Sequence, residues 1–124
     1  MNPLTNIEII KHIMKRHGIA FNKKFGQNFL TDSSVVDSIA ELSGLTENDC
    51  VLEIGPGIGT LTYRLLQTAE KVVSVEIDSG LIPVLSDTLS EFDNKLWLTV
   101  IDTVTVHADG RMTFKFQGST VIDA

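Results

Sequence analysis

Cysteine is nearly absent from this chain of 124 residues: Cys50 stands alone. A single thiol closes no disulfide within the chain and supplies no zinc site, so the fold must be held by packing. Cys50 itself opens an apolar strand and reads as a small core residue. No apolar run is long enough to span a bilayer. The first residues mix Glu8, Lys11, His12, Lys15 and Arg16 among isoleucines, which excludes the unbroken apolar centre of a signal peptide. A soluble cytoplasmic protein with no membrane and no metal partner is expected. With 43% hydrophobic and 21% charged residues, the length suits one globular domain rather than a disordered tail.

Positive charge is scarce as well, and unevenly spread. The whole chain carries −6. Residues 1–30 nevertheless hold Lys11, Lys15, Arg16, Lys23 and Lys24 against Glu8 alone, a local +4, which leaves −10 on the remainder. A basic arm on an acidic body either attracts a phosphate backbone or forms a solvated helix face and loop.

The most informative stretch runs from Val51 to Thr62, Val-Leu-Glu-Ile-Gly-Pro-Gly-Ile-Gly-Thr-Leu-Thr. An apolar strand carries one acid, Glu53, and passes into glycines at positions 55, 57 and 59 and then a helical pattern. Glycine allows positive φ and close ligand approach, and the helix start offers free amides. The third glycine comes one residue too early for a dinucleotide fingerprint, and the acid Glu53 stands two residues before the first glycine. That spacing, with Glu76 lying 21 residues after Gly55 and able to accept from ribose hydroxyls, favours S-adenosylmethionine.

Around this motif the chain alternates. Residues 5–17 read as a helix capped by Thr5, with Ile7, Ile10, Ile13 and Met14 on one face. The loop from Phe21 to Leu30 has no period but holds three phenylalanines. Thr31 or Asp32 caps a core-facing helix carrying Val35, Val36, Ile39, Ala40 and Leu42. After the glycine loop come a helix through about Gln67, a β-branched strand Lys71–Ile77 and a helix from about Ser79 to Glu91. Strand, helix, strand, helix begins a doubly wound α/β sheet. After Asn94 the pattern becomes a hairpin, so the chain divides into residues 1–94 and a β extension, 95–124, packed on or extending the same sheet. Facing sets the hairpin register: a three-residue loop, Ala108-Asp109-Gly110, puts Val104 and Val106 beside Phe114 and Met112 and pairs His107 with Arg111.

Three segments, Lys23-Lys-Phe-Gly-Gln-Asn-Phe-Leu30, Glu53-Ile-Gly-Pro-Gly-Ile-Gly-Thr-Leu-Thr62 and Val75-Glu-Ile-Asp78, resemble the ribosomal RNA adenine N6,N6-dimethyltransferases and the related macrolide-resistance RNA methyltransferases. The resemblance covers about residues 5–94. It implies the N-terminal half of a Rossmann-like S-adenosylmethionine-dependent methyltransferase sheet, an α/β fold ending here in a β-hairpin. It further implies that Gln27, Asn28 and Leu30 close over the methionine end of the cofactor, and that Gly55 and Gly57 approach it. Glu76 would bind its ribose, and Lys23 and Lys24 would meet small-subunit ribosomal RNA.

The implied reaction moves a methyl group from a sulfonium to an adenine exocyclic amine, which must be oriented and hydrogen-bonded. The family uses Asn-x-Pro followed by an aromatic residue that stacks on a flipped base. Pro3, Pro56 and Pro83 are the only prolines, and none precedes an aromatic residue. No catalytic residue is therefore assigned, and Asp102, inside a continuous β pattern, is not given the family's adenine-binding role. Leu96 to Phe116 more weakly resembles the C-terminal hairpin of large serine recombinases, as a gene interrupted by a mobile element would produce; the alternative is a divergent third strand and hairpin of a normal domain. The leading expectation is a truncated, catalytically impaired family member that can bind cofactor. The alternatives are a non-catalytic remnant associating with a second copy through an exposed sheet edge, and a small-molecule methyltransferase.

Overall fold

A computed structural model describes residues 2–20, 29–116 and 121–123. Four α-helices and five strands alternate through the first two-thirds and then give way to strands alone: α1 (Ile7–Arg16), α2 (Ser33–Leu42), β1 (Cys50–Ile54), α3 (Thr60–Leu66), β2 (Lys71–Glu76), α4 (Ile82–Thr88), β3 (Leu96–Val106), β4 (Met112–Phe116) and β5 (Val121–Asp123). The strands lie in the order β1-β2-β3-β4-β5 in one sheet. β1 and β2 run parallel with Ile54 beside Val75, as do β2 and β3 with Glu76 beside Val100. β3 then continues past β2 to pair antiparallel with β4. β5 adds a further antiparallel strand.

Local chemistry explains where the helices start. Asn6, not Thr5, caps α1: its side chain accepts from the amides of Glu8 and Ile9, and a short 3₁₀ turn, Pro3–Thr5, precedes it. Asparagine satisfies the orphan first-turn amides as well as threonine does. Asp32 caps α2 through the Ser34 amide. The segment expected as a single helix from Ser79 is instead a 3₁₀ turn, Ser79–Leu81, then α4, with Pro83 in its first turn where a missing N–H costs nothing.

One face of the parallel strands is well covered. Ile10, Ile13 and Met14 of α1 join Ile58, Leu65 and Leu66 around α3, Val72 of β2, and Leu81, Val84, Leu85 and Leu89 around α4 in a single core. Arg16 and His17 at the end of α1 both pair with Asp87 of α4. α2 contributes less than its sequence suggests: Val36 and Ala40 are buried, but Val35, Ile39 and Leu42 are exposed. Cys50 is exposed too, so its expected core role is corrected: it is the first residue of β1, at the exposed start of the strand. On the opposite face Leu52, Ile54 and Trp97 are each about 60% exposed.

The hairpin has the expected register. Val104 pairs with Phe114 and Val106 with Met112. The His107 amide donates to the Arg111 carbonyl at 2.9 Å, and Gly110 takes the left-handed conformation at φ +85°.

Gly59 fixes the packing of α3 against α4. Its φ is +97°, and a Cβ there would lie 2.9 Å from Leu89 Cδ1 and 3.2 Å from Leu85 Cδ2, both in the buried core. Gly59→Ala is expected to cost about 1–3 kcal/mol through backbone strain, with the clash adding to it. Urea unfolding measures this, and a variant as stable as the parent would contradict the assignment.

Candidate functional site

The site forms where β1 and β2 end side by side. β1 delivers the chain into the loop Gly55–Gly59, and the Gly55 amide donates back to the Val75 carbonyl at 2.9 Å, holding the loop against the end of β2. One residue further along β2, Glu76 is buried. Its carboxylate gathers three backbone amides: Ile77 at 2.9 Å and Asp78 at 3.0 Å on Oε1, and Gly57 at 3.3 Å on Oε2. The acid predicted to bind ribose is thus joined directly to the middle glycine of the loop.

Glycine is required at position 57. The backbone sits at φ +61°, and a Cβ would meet the Phe29 ring at 3.2 Å. Gly55, at φ +74°, has open space where its side chain would be. Phe29 and Leu30, Glu53, Gly55 to Gly57, Thr60 and Leu61 line a cleft over this loop. Among the expected site residues, Leu30, Gly55 and Gly57 therefore share one cleft, and Glu76, outside its lining, is bonded to it through the Gly57 amide. Gln27, Asn28, Lys23 and Lys24 lie outside the described residues.

Glu53, the acid two residues before Gly55 that sequence reasoning counted with the glycine spacing, is a second buried acid at this cleft. Thr62 Oγ1 donates to Glu53 Oε2 at 2.6 Å, and Ser74 Oγ donates to the same oxygen at 3.0 Å. All three side chains are buried. These bonds tie β1 to α3 and β2 under the glycine loop, so the carboxylate fixes the elements that position the cleft. Burial pushes the Glu53 carboxyl above the usual range, the two hydroxyls pull it partly back, and the neighbouring Glu76 pushes it up again.

Phe29 is the residue that sequence reasoning missed. Its ring packs over Gly57, and the signals were its place among three phenylalanines in a segment without periodicity and within the Lys23–Leu30 segment that carries the family resemblance, from which only Gln27, Asn28 and Leu30 were drawn for the cofactor. Among the described residues, no group of His, Cys, Asp and Glu is arranged to hold a metal ion. No helix among them is long and apolar enough to cross a membrane.

Comparison with known proteins follows the same elements. A family model for ribosomal RNA adenine dimethylase matches residues 18–118, a span that takes in the cleft, β3 and β4. The ribosomal RNA small subunit methyltransferase A of Bacillus licheniformis is 48% identical over 101 residues, 82% of this chain and 34% of that protein. Two solved structures share sequence as well as fold. The 23S rRNA methyltransferase ErmE is 39% identical, with a TM-score of 0.54 over 57% of this chain and 29% of its own. A dimethyladenosine transferase from Plasmodium falciparum is 36% identical, with a TM-score of 0.50 over 55% of this chain and 26% of its own. The chain spans about a third of the length of the curated relatives it matches.

Two outcomes test the Glu53 cluster. Because the folded-state pKa is raised, the folded chain binds this proton more tightly than the unfolded chain does. The resulting stability is full below the ordinary glutamate range and declines as pH rises through the raised folded value. Glu53→Gln is expected to flatten that decline in a series of thermal melts across pH, whereas parallel curves for variant and parent would contradict it. Thr62→Val removes one donor from a buried acid and is expected to cost about 1.5–3 kcal/mol at neutral pH by chemical denaturation.

Proposed function

This chain belongs to the ribosomal RNA adenine dimethylase family, and from that premise we propose that it is a cofactor-binding portion of the fold that takes S-adenosylmethionine in the cleft over Gly55–Thr60 and does not complete methyl transfer alone. The observation that carries the reading is the bond between the Gly57 amide and Glu76 Oε2. It joins the loop that a ligand can approach closely to an acid suited to ribose hydroxyls, at the adjacent ends of two parallel strands.

The residues present suit this ligand. A glycine at 55 leaves open space beside the loop, and Phe29 and Leu30 give the cleft an apolar wall. Glu76 has about four acceptor positions, of which three carry backbone amides. One acceptor position is left unused by these bonds, and a second would be freed for ribose hydroxyls by release of the Gly57 bond, the longest of the three. Gln27 and Asn28 belong to the same reading through the family motif, closing over the methionine end. When bound, the cofactor supplies an electrophilic methyl group on a sulfonium. The chain supplies orientation and an apolar, partly enclosed setting.

The substrate side of the reading is small-subunit ribosomal RNA in the cytoplasm, met by Lys23 and Lys24 at the basic end of the chain. The sequence contains no Asn-x-Pro-aromatic segment, the element by which the resemblance would orient the target amine. Residues 1–94 would then carry cofactor binding and residues 95–124 the sheet extension.

Calorimetric titration with S-adenosylmethionine, followed by a methyl-transfer assay on small-subunit RNA with the same preparation, tests the proposal. Binding without transfer is expected, and Glu76→Gln is expected to weaken binding about tenfold. No heat of binding by the folded parent chain would overturn the cofactor reading, and transfer would overturn the claim that the chain is catalytically incomplete.

A further inference from the structure

The glycines at positions 55, 57 and 59 all have positive φ. They give the cleft loop the backbone it needs and also make it hard to order, because glycine loses the most conformational freedom on folding. A loop ordered only at the moment of binding would weaken affinity by that amount. Three of its amides are held locally: Gly55 donates to the Val75 carbonyl, Gly57 to Glu76 and Gly59 to the Pro56 carbonyl. The helix that follows starts without a side-chain cap, since Gly59 stands at its N-cap.

Two side chains from outside the loop hold it at carbonyl groups instead. Thr88, the last residue of α4, donates from Oγ1 to the Ile58 carbonyl at 2.9 Å. Asn2 donates from Nδ2 to the Thr60 carbonyl at 2.8 Å. The other end of the same amide accepts from the Leu4 amide at 3.0 Å, capping the turn Pro3–Thr5, and Thr60 Oγ1 donates back to the Leu4 carbonyl at 3.2 Å. Leu4 is buried in the core formed with α1, α3 and α4. Packing therefore fixes Asn2 independently of the loop it holds. Ile58 and Thr60 flank Gly59, and Thr60 lines the cleft, whereas Asn2 and Thr88 do not. Neither belongs to the three segments that carry the family resemblance.

We propose that Asn2 and Thr88 are positioning residues for the cofactor cleft: from outside its lining they hold the glycine loop and the start of α3 in the binding geometry before a ligand arrives. This rests on the S-adenosylmethionine reading of the cleft, so its test includes one readout that needs no cofactor.

The variants separate positioning from folding. Asn2→Asp keeps an oxygen to cap the turn but puts an acceptor where the Thr60 carbonyl needs a donor. Thr88→Val removes the hydroxyl at nearly constant shape, and Thr88→Ser restores it. Hydrogen exchange of the cofactor-free chain is followed at the amides of Gly59 and Tyr63, which bond to the Pro56 and Gly59 carbonyls, with the amide of buried Val72 as reference. Calorimetric titration with S-adenosylmethionine uses the same samples, below the melting temperature of every variant. Asn2→Asp and Thr88→Val are expected to speed exchange at Gly59 and Tyr63 while Val72 is unchanged. Each is expected to weaken cofactor binding about three- to tenfold, the worth of one net hydrogen bond, and Thr88→Ser to match the parent. Binding as tight as the parent's, exchange no faster in the loop, or acceleration shared equally by Val72 would each overturn the proposal. A parent chain that binds no cofactor, with exchange still accelerated in the loop alone, would overturn the cofactor reading while supporting the hold on the loop.

Discussion

The structure depends on one buried carboxylate at the end of β2. Glu76 accepts from Ile77, Asp78 and Gly57, so a single side chain both ends its own strand and anchors the loop that leaves the neighbouring strand. A buried acid without partners would be costly, and backbone amides offset that cost while leaving the carboxylate in place. The parallel register makes this possible, since Ile54 beside Val75 brings the loop after β1 level with the residue that follows Val75. Glu53, one layer below, does for the strands and α3 what Glu76 does for the loop.

Much of this was legible in the sequence because backbone requirements leave strong marks. The spaced glycines, the acid 21 residues beyond Gly55 and the β-branched run before it fixed the strand-loop-helix unit and its partner strand. The hairpin register followed from a facing argument alone: only a three-residue loop sets Val104 against Phe114 and Val106 against Met112. The cap of α1 was misplaced by one residue because a threonine with a glutamate three later competes with Asn6, and side-chain chemistry at the turn chose the asparagine.

The remaining differences concern tertiary burial, which periodicity does not report. The apolar stripe of α2 predicted a core helix, yet only Val36 and Ala40 are covered. Cys50 looked like core and is exposed. β5 was not foreseen because three residues carry too short a pattern to distinguish a strand from a tail. In the site, Leu30, Gly55 and Gly57 line one cleft, and Glu76 is bonded to its Gly57. Phe29 was missed because nothing in its sequence setting shows that a ring will lie over a glycine.

The exposed face and the cleft lie on one short piece of sheet. β1 sends Glu53 toward the helices and Leu52 and Ile54 toward the open groove, so the strand that delivers the glycine loop is also, among the described residues, the edge of the sheet. The cleft between the ends of β1 and β2 is proposed to take S-adenosylmethionine. Amide chemical-shift mapping of the ¹⁵N-labelled chain during titration with that cofactor tests it most directly. The largest shifts are predicted at the amides of Gly55, Gly57, Ile77 and Asp78, and shifts confined to the Leu52–Trp97 face, or none at saturating cofactor, would contradict it.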